Sequence, residues 1–278
     1  MSLTINIDTH LPQTHSVTEA KDWLYEILKK NKRCVVHLQE VGKPRSILRK
    51  YKNSTPDTEN LSVRDFLDGV LRELEEVTYG DQNPGEFKWH YKLHWNVNPD
   101  ENRTSLMNTD TMLLWCDEFW VQVGDVDSRP PEDDIGKVGL PGKENWTQEN
   151  RWKKATDKRY AVVPLKSKHD GVRKPRVISL SVHLPPPGNA KAGLNGEAQA
   201  RVLKCILMHA MKLCEKHKCQ GIIGGDFNMD ANLPQTRTRV DEARDWCIAT
   251  FPALSQLEVQ VRFSLRLPSP LSTAAYVC

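Results

Sequence analysis

The sequence predicts an α/β domain, and three observations carry that reading. The first forty residues read strand, helix, strand. A long amphipathic helix, Glu197 to His217, lies between two apolar strands. No internal repeat or linker divides the 278 residues, which are enough to bury one large core.

The elements follow in order. "LTINID" (Leu3 to Asp8) alternates apolar and polar residues like a short strand. Ser16 with Glu19 three residues later forms a capping box, and Ala20, Trp23, Leu24, Ile27 and Leu28 then make one helix face. "CVVHLQEV" (Cys34 to Val41) reads as a buried strand ending in polar residues. This completes a strand–helix–strand unit, whose ligands usually sit beyond strand ends. Arg64 to Val77 has the pattern of a second amphipathic helix. Thr109 to Trp115 and Glu118 to Val123 read as a hairpin around Cys116-Asp117. Asp125 to Gln148, with its Pro, Gly and acids, reads as a surface loop. Arg159 to Leu165 and Pro175 to Leu184 are strands joined by the basic turn "KSKHDGVRK". The long helix points Val202, Leu203, Ile206, Leu207, Ala210 and Leu213 inward, and "GIIGG" (Gly221 to Gly225) is a short buried strand. The domain is expected over 1–260, with an atypical Pro/Ser/Ala-rich tail over 261–278.

Composition excludes several classes. Net charge is +3, so overall charge does not argue for nucleic acid. Charge is uneven, however: ten Lys/Arg stand against Asp157 and Asp170 between Arg151 and Arg176. That run suits either a polyanion or a solvated face. Seven cysteines, an odd number in largely apolar settings, suit reduced thiols and an intracellular location. "CEKHKC" (Cys214, His217, Cys219) has half of a zinc pattern, with no second matching pair. No signal-peptide core, myristoylation glycine or membrane-length apolar run is present.

The chemistry concentrates in "GIIGGDFNMD", Gly221 to Asp230. A strand puts residues i and i+2 on one face, so Asp226 and Asn228 are expected to share a pocket, with Phe227 turned into the core. Gly224 and Gly225 let another backbone or a ligand approach closely. A carboxylate beside a neutral amide suits a hard cation such as Mg²⁺, or an oxyanion. The same spacing also suits a plain Asx turn.

"VVHLQEV", then "SLSVHL", a long helix and "IIGGDFNMD", in that order, resemble the endonuclease/exonuclease/phosphatase (DNase I-like) superfamily. The resemblance runs from about Leu3 to Asp230. It implies a four-layer αββα sandwich of two mixed β-sheets, incomplete at the C-terminus, with the site where loops from both sheets meet. It further implies a metal-dependent phosphodiester hydrolase, an endonuclease or exonuclease acting on nucleic acid or another phosphodiester, with Mg²⁺ (or Mn²⁺) as cofactor. Carried over, Glu40 ligates the metal, and Asn6, the loose match of "INID", helps hold it. Asp226 orients or activates water, Asn228 binds the scissile phosphate, and His183 binds or protonates its oxygens. Asn108 and Arg159 face substrate. The aromatic stretch Trp89 to Trp95 suits either base stacking or core packing.

One part of the pattern is missing. The family's closing Asp-His pair, which supplies the general base, has no counterpart: no His follows His217 and no Asp-His dipeptide occurs. Three readings follow. The chain is a fragment, it is a binding-only member, or His169 or His183 takes the base's part. Losing a general base typically costs about 10²–10⁴ in rate, so residual metal-driven hydrolysis is compatible with the gap.

Overall fold

The computed structural model describes residues 2–6, 17–39, 89–93, 111–127, 129–140, 142, 144–156, 160–171, 173–184, 196–228, 234–256 and 259–263. Glu40, Asn108, Arg159 and the helix expected over Arg64 to Val77 lie outside the described residues, and of Asn6 only the backbone is described.

The opening strand–helix–strand unit forms as expected: β1 (Ser2–Asn6), α1 (Val17–Lys30) and β2 (Val35–Gln39). Helix α1 starts one residue after Ser16, and Leu24 and Leu28 on its apolar face are fully buried. Strands β1 and β2 pair in parallel, so the helix is the crossover that a parallel pair requires. Strand β4 (Thr111–Cys116) joins antiparallel to β2 and to β3 (Trp89–Leu93), giving the first sheet the order β1-β2-β4-β3.

The second sheet has the order β5-β6-β7-β8-β9. Its strands are β5 (Trp120–Gln122), β6 (Tyr160–Ser167), β7 (Val177–His183), β8 (Gln220–Asp226) and β9 (Val259–Phe263). The first three pair antiparallel, while β7-β8 and β8-β9 are parallel. The parallel pairs are bridged by α4 (Gly196–His217) and α5 (Pro234–Thr250). All six predicted inward residues of α4 are buried in one apolar cluster with Ile178, Leu180, Val182 and Ile223 of the sheet, and α5 packs on α4.

Two expectations are corrected. The strands around Cys116-Asp117 are not a hairpin: β4 belongs to the first sheet and β5 to the second. A tight turn, with Phe119 N–H donating to Cys116 O at 3.1 Å, carries the chain across the sandwich. Both flanking segments are apolar because β4 is buried along its whole length while Trp120 packs into the inter-sheet core. The supposed loop Asp125 to Gln148 contains helix α2 (Glu132–Val138). Pro131 at its N-cap, three acids in the first turn and Lys137 in the last suit the helix dipole, and Gly139 at φ 67° ends it. A third helix, α3 (Gln148–Thr156), starts behind Thr147, whose hydroxyl accepts the Asn150 N–H at 3.2 Å.

The two sheets face each other, and residue parity sorts what meets between them. At one end the layer is apolar: Val35, Leu113, Trp115, Ala161, Val163 and Leu165. At the other it is polar, and that end carries the candidate site. No helix among the described residues is long and apolar enough to cross a membrane.

Candidate functional site

The polar end is built by alternation along β2 and β7. His37 and Gln39 follow Val35 on the inner face, and Ser179, Ser181 and His183 answer from β7. Bonds across the sandwich fix this register. The Ser179 hydroxyl meets His37 Nε2 at 3.3 Å, and Gln39 Nε2 donates to Ser181 Oγ at 3.3 Å. Ser181 in turn donates to the Leu38 carbonyl at 3.4 Å. All four side chains are fully buried. Thr4 Oγ1, His37 Nδ1, Gln39 Oε1 and Thr111 Oγ1 find no hydrogen-bond partner among the described residues. Each such group costs roughly 1–3 kcal/mol.

The seam runs toward His183 and Asp226. These two are Cα partners in the parallel β7-β8 ladder, so their side chains leave the same face of the sheet side by side. Both are nearly buried, at 4% and 6% exposure. In the first sheet Gln39 ends β2 as the backbone partner of Asn6, and Glu40 follows it in the chain.

The turn after β8 takes the second of the two expected forms, the Asx turn, rather than a continued strand. The strand ends at Asp226, and Asn228 adopts φ 50°. Its N–H donates to Asp226 Oδ1 at 2.7 Å, which is the Asx turn. Its side-chain amide donates to the Leu184 carbonyl, and Leu184 N–H donates to Asp226 O at 2.8 Å. Asp226 and Asn228 are therefore joined by a turn rather than by strand alternation, and the turn is bound to the end of β7. Phe227 points into the core as expected, at 1% exposure. Sequence reading missed Gln199, which is fully buried in the first turn of α4 and donates to Phe227 O at 2.9 Å. The available signal was an amide on the helix face that also carries Val202 and Leu203.

The paired glycines act as expected. A Cβ on Gly224 would lie 2.7 Å from the His37 ring, and one on Gly225 only 1.8 Å from the Val182 carbonyl oxygen. The close neighbours are the opposite sheet and the adjacent strand.

Other expected contributors fall away from this end. His169 is exposed in the β6–β7 turn, at the start of β7, roughly 20 Å along the strand from His183. Three residues of the basic run are engaged within the chain: Arg151 donates to Leu140 O at 2.9 Å, Lys153 pairs with Glu149 at 2.7 Å and Arg176 with Asp170 at 2.6 Å. Of the aromatic stretch, Trp89 is core, while His90 stacks on Trp115 and meets Asp117 at 3.2 Å.

No group of three or more His, Cys, Asp or Glu among the described residues could by itself hold a metal ion. The two residues expected to hold a metal, Glu40 and Asn6, are outside the described residues and described only in backbone, respectively. The fold and this end of it define a two-sheet α/β protein whose sheets share a polar, carboxylate- and imidazole-bearing edge. No protein-family model matches the chain, and no curated protein matches it significantly.

Proposed function

We propose that the protein is a metal-dependent phosphodiester hydrolase of the DNase I-like class, acting on nucleic acid. The observation that carries this reading is the β7-β8 register. It sets His183 beside Asp226 at the end of a buried polar seam that leads to Gln39 and, next in the chain, Glu40. The facing mixed sheets and the order of elements support the four-layer αββα arrangement.

Each residue's part follows from its chemistry. Glu40 and Asn6 would hold Mg²⁺ or Mn²⁺, which would neutralise charge developing on the phosphate oxygens. Asp226 accepts a hydrogen bond from water and turns its lone pair toward phosphorus. The Asx turn fixes that carboxylate's orientation through the Asn228 N–H, so little reorganisation accompanies the reaction. His183 donates to a phosphate oxygen. Asn108 and Arg159, outside the described residues, would contact the substrate.

A second reading has a specific observation behind it. The Asn228 amide, which would serve the phosphate, is directed at Leu184 O, and its N–H occupies Asp226 Oδ1. Groups tied to each other in this way suit a member that binds phosphate esters without turning them over. Both readings are tested by Mn²⁺ titration together with hydrolysis of bis(p-nitrophenyl) phosphate. The hydrolase reading expects saturable Mn²⁺ binding and metal-dependent release of nitrophenol, with both lost in Glu40→Gln. Mn²⁺ binding without turnover would favour the binding-only reading, and no Mn²⁺ binding would overturn the metal site itself.

A further inference from the structure

We infer that Cys214 and Cys219, brought together by the C-terminal cap of α4, form a reversible dithiol–disulfide site oxidised by peroxide. The cap is a Schellman motif. Lys218 adopts φ 54°, its N–H donates to Glu215 O at 3.2 Å, and Cys219 N–H donates to Cys214 O at 3.0 Å. These two bonds define Cys214 and Cys219 as the two positions whose side chains meet across such a cap, a place ordinarily held by an apolar pair. Here both are thiols.

The two sulfurs differ in the way a redox pair needs. Cys219 is partly exposed, whereas Cys214 is fully buried beneath it. The mutual contact of the two side chains raises the Cys214 thiol, with burial adding to it, and holds the Cys219 thiol below its ordinary value. The remaining described cysteines lack this asymmetry. Cys34, Cys116, Cys205 and Cys247 are buried, and burial pushes their thiols up, Cys116 to about 11 and Cys247 to about 12.

The chemistry balances with one co-reactant. The Cys219 thiolate attacks a peroxide oxygen, the O–O bond breaks, and the sulfur becomes a sulfenic acid; the departing hydroxide takes up the proton that the Cys219 thiol had given up and leaves as one water. Cys214 sulfur then attacks Cys219 sulfur, the S–OH bond breaks, and a second water leaves with the Cys214 proton. Two thiols are oxidised and one hydrogen peroxide is reduced to two waters. The disulfide lies at the entry to β8, whose far end is Asp226.

The test is mass spectrometry of the full chain after hydrogen peroxide, alkylation and trypsin. The expected result is loss of two alkylatable thiols. Leu213–Lys216 would appear joined to Cys219–Arg237, two hydrogens lighter than the separate peptides, and thiol reductant would restore both. Cys214→Ser is expected to stop the reaction at a Cys219 sulfenic acid trapped by dimedone. The inference is overturned if both thiols stay alkylatable, or if Cys219 oxidises without bonding Cys214.

Discussion

Taken from pH 7 to pH 4, the protein is expected to lose about 6 kcal/mol of stability through two histidines alone. His37 and His209 are both wholly buried, and burial pushes each imidazole down from 6.5 to about 4. For His37 this outweighs the opposing influence of the nearby Leu180 backbone, and for His209 the attraction of Asp127. Unfolding releases both rings to titrate near 6.5. Between the two values the unfolded chain binds more protons, so stability is fully present above pH 6.5 and falls as pH drops toward 4. Each ring contributes about 3 kcal/mol on this order-of-magnitude scale, against a usual total of 5–15 kcal/mol. His209 also anchors the outer layer: Tyr160 OH bonds its Nδ1 at 2.8 Å, and Trp152 packs edge-on against both rings. Urea unfolding between pH 7 and pH 4.5 checks this. The wild type should lose stability steeply, and His209→Gln, though weaker at pH 7, should show about half the slope. An unchanged slope in the variant would remove His209 from the account.

Gly225→Ala is expected to cost at least about 3 kcal/mol, because the added methyl meets backbone that cannot move. It would lie 1.8 Å from Val182 O, 2.7 Å from Val182 C and 2.9 Å from Val182 N, all on the neighbouring strand of the same ladder. Gly224→Ala should cost less, roughly 1–3 kcal/mol, because it meets a side chain, the His37 ring at 2.7 Å. That ring is packed between the sheets and has little room to swing. Gly171, exposed and with nothing within 4 Å of an added Cβ, is the control and should change stability by less than about 0.5 kcal/mol. Equal urea midpoints for Gly225→Ala and Gly171→Ala would contradict the β7-β8 spacing.

Much of this fold was legible because long periodic segments leave little choice. The six inward residues of α4, the strands on either side of it, and the opening strand–helix–strand unit stand where their spacing puts them. The hairpin reading failed at Cys116-Asp117 because two apolar strands and a short turn look alike whether the chain stays in one sheet or crosses to another. Helix α2 was hidden by its acids and its Gly, although Pro131 and Gly139 mark its two ends. The site was legible in its residues but not in its arrangement. His183, Asp226 and Asn228 stood out in the sequence, yet the spacing of the last two suited both a shared strand face and an Asx turn, and only the backbone at φ 50° decides for the turn. The polar seam was missed. Alternating polar residues in "VHLQ" and "SLSVH" ordinarily mean a wet face, whereas both strands here are buried along their whole length. Burial on both faces depends on the second sheet, which local pattern does not reveal.

The measurement that bears most directly on the proposed chemistry is cleavage of labelled single- and double-stranded DNA and RNA with Mg²⁺ or Mn²⁺, wild type beside Asp226→Asn. The account predicts metal-dependent cleavage by the wild type and its loss in a variant that unfolds at the same urea midpoint. No cleavage of any substrate by folded, monodisperse wild type, or equal cleavage by both proteins, would contradict it.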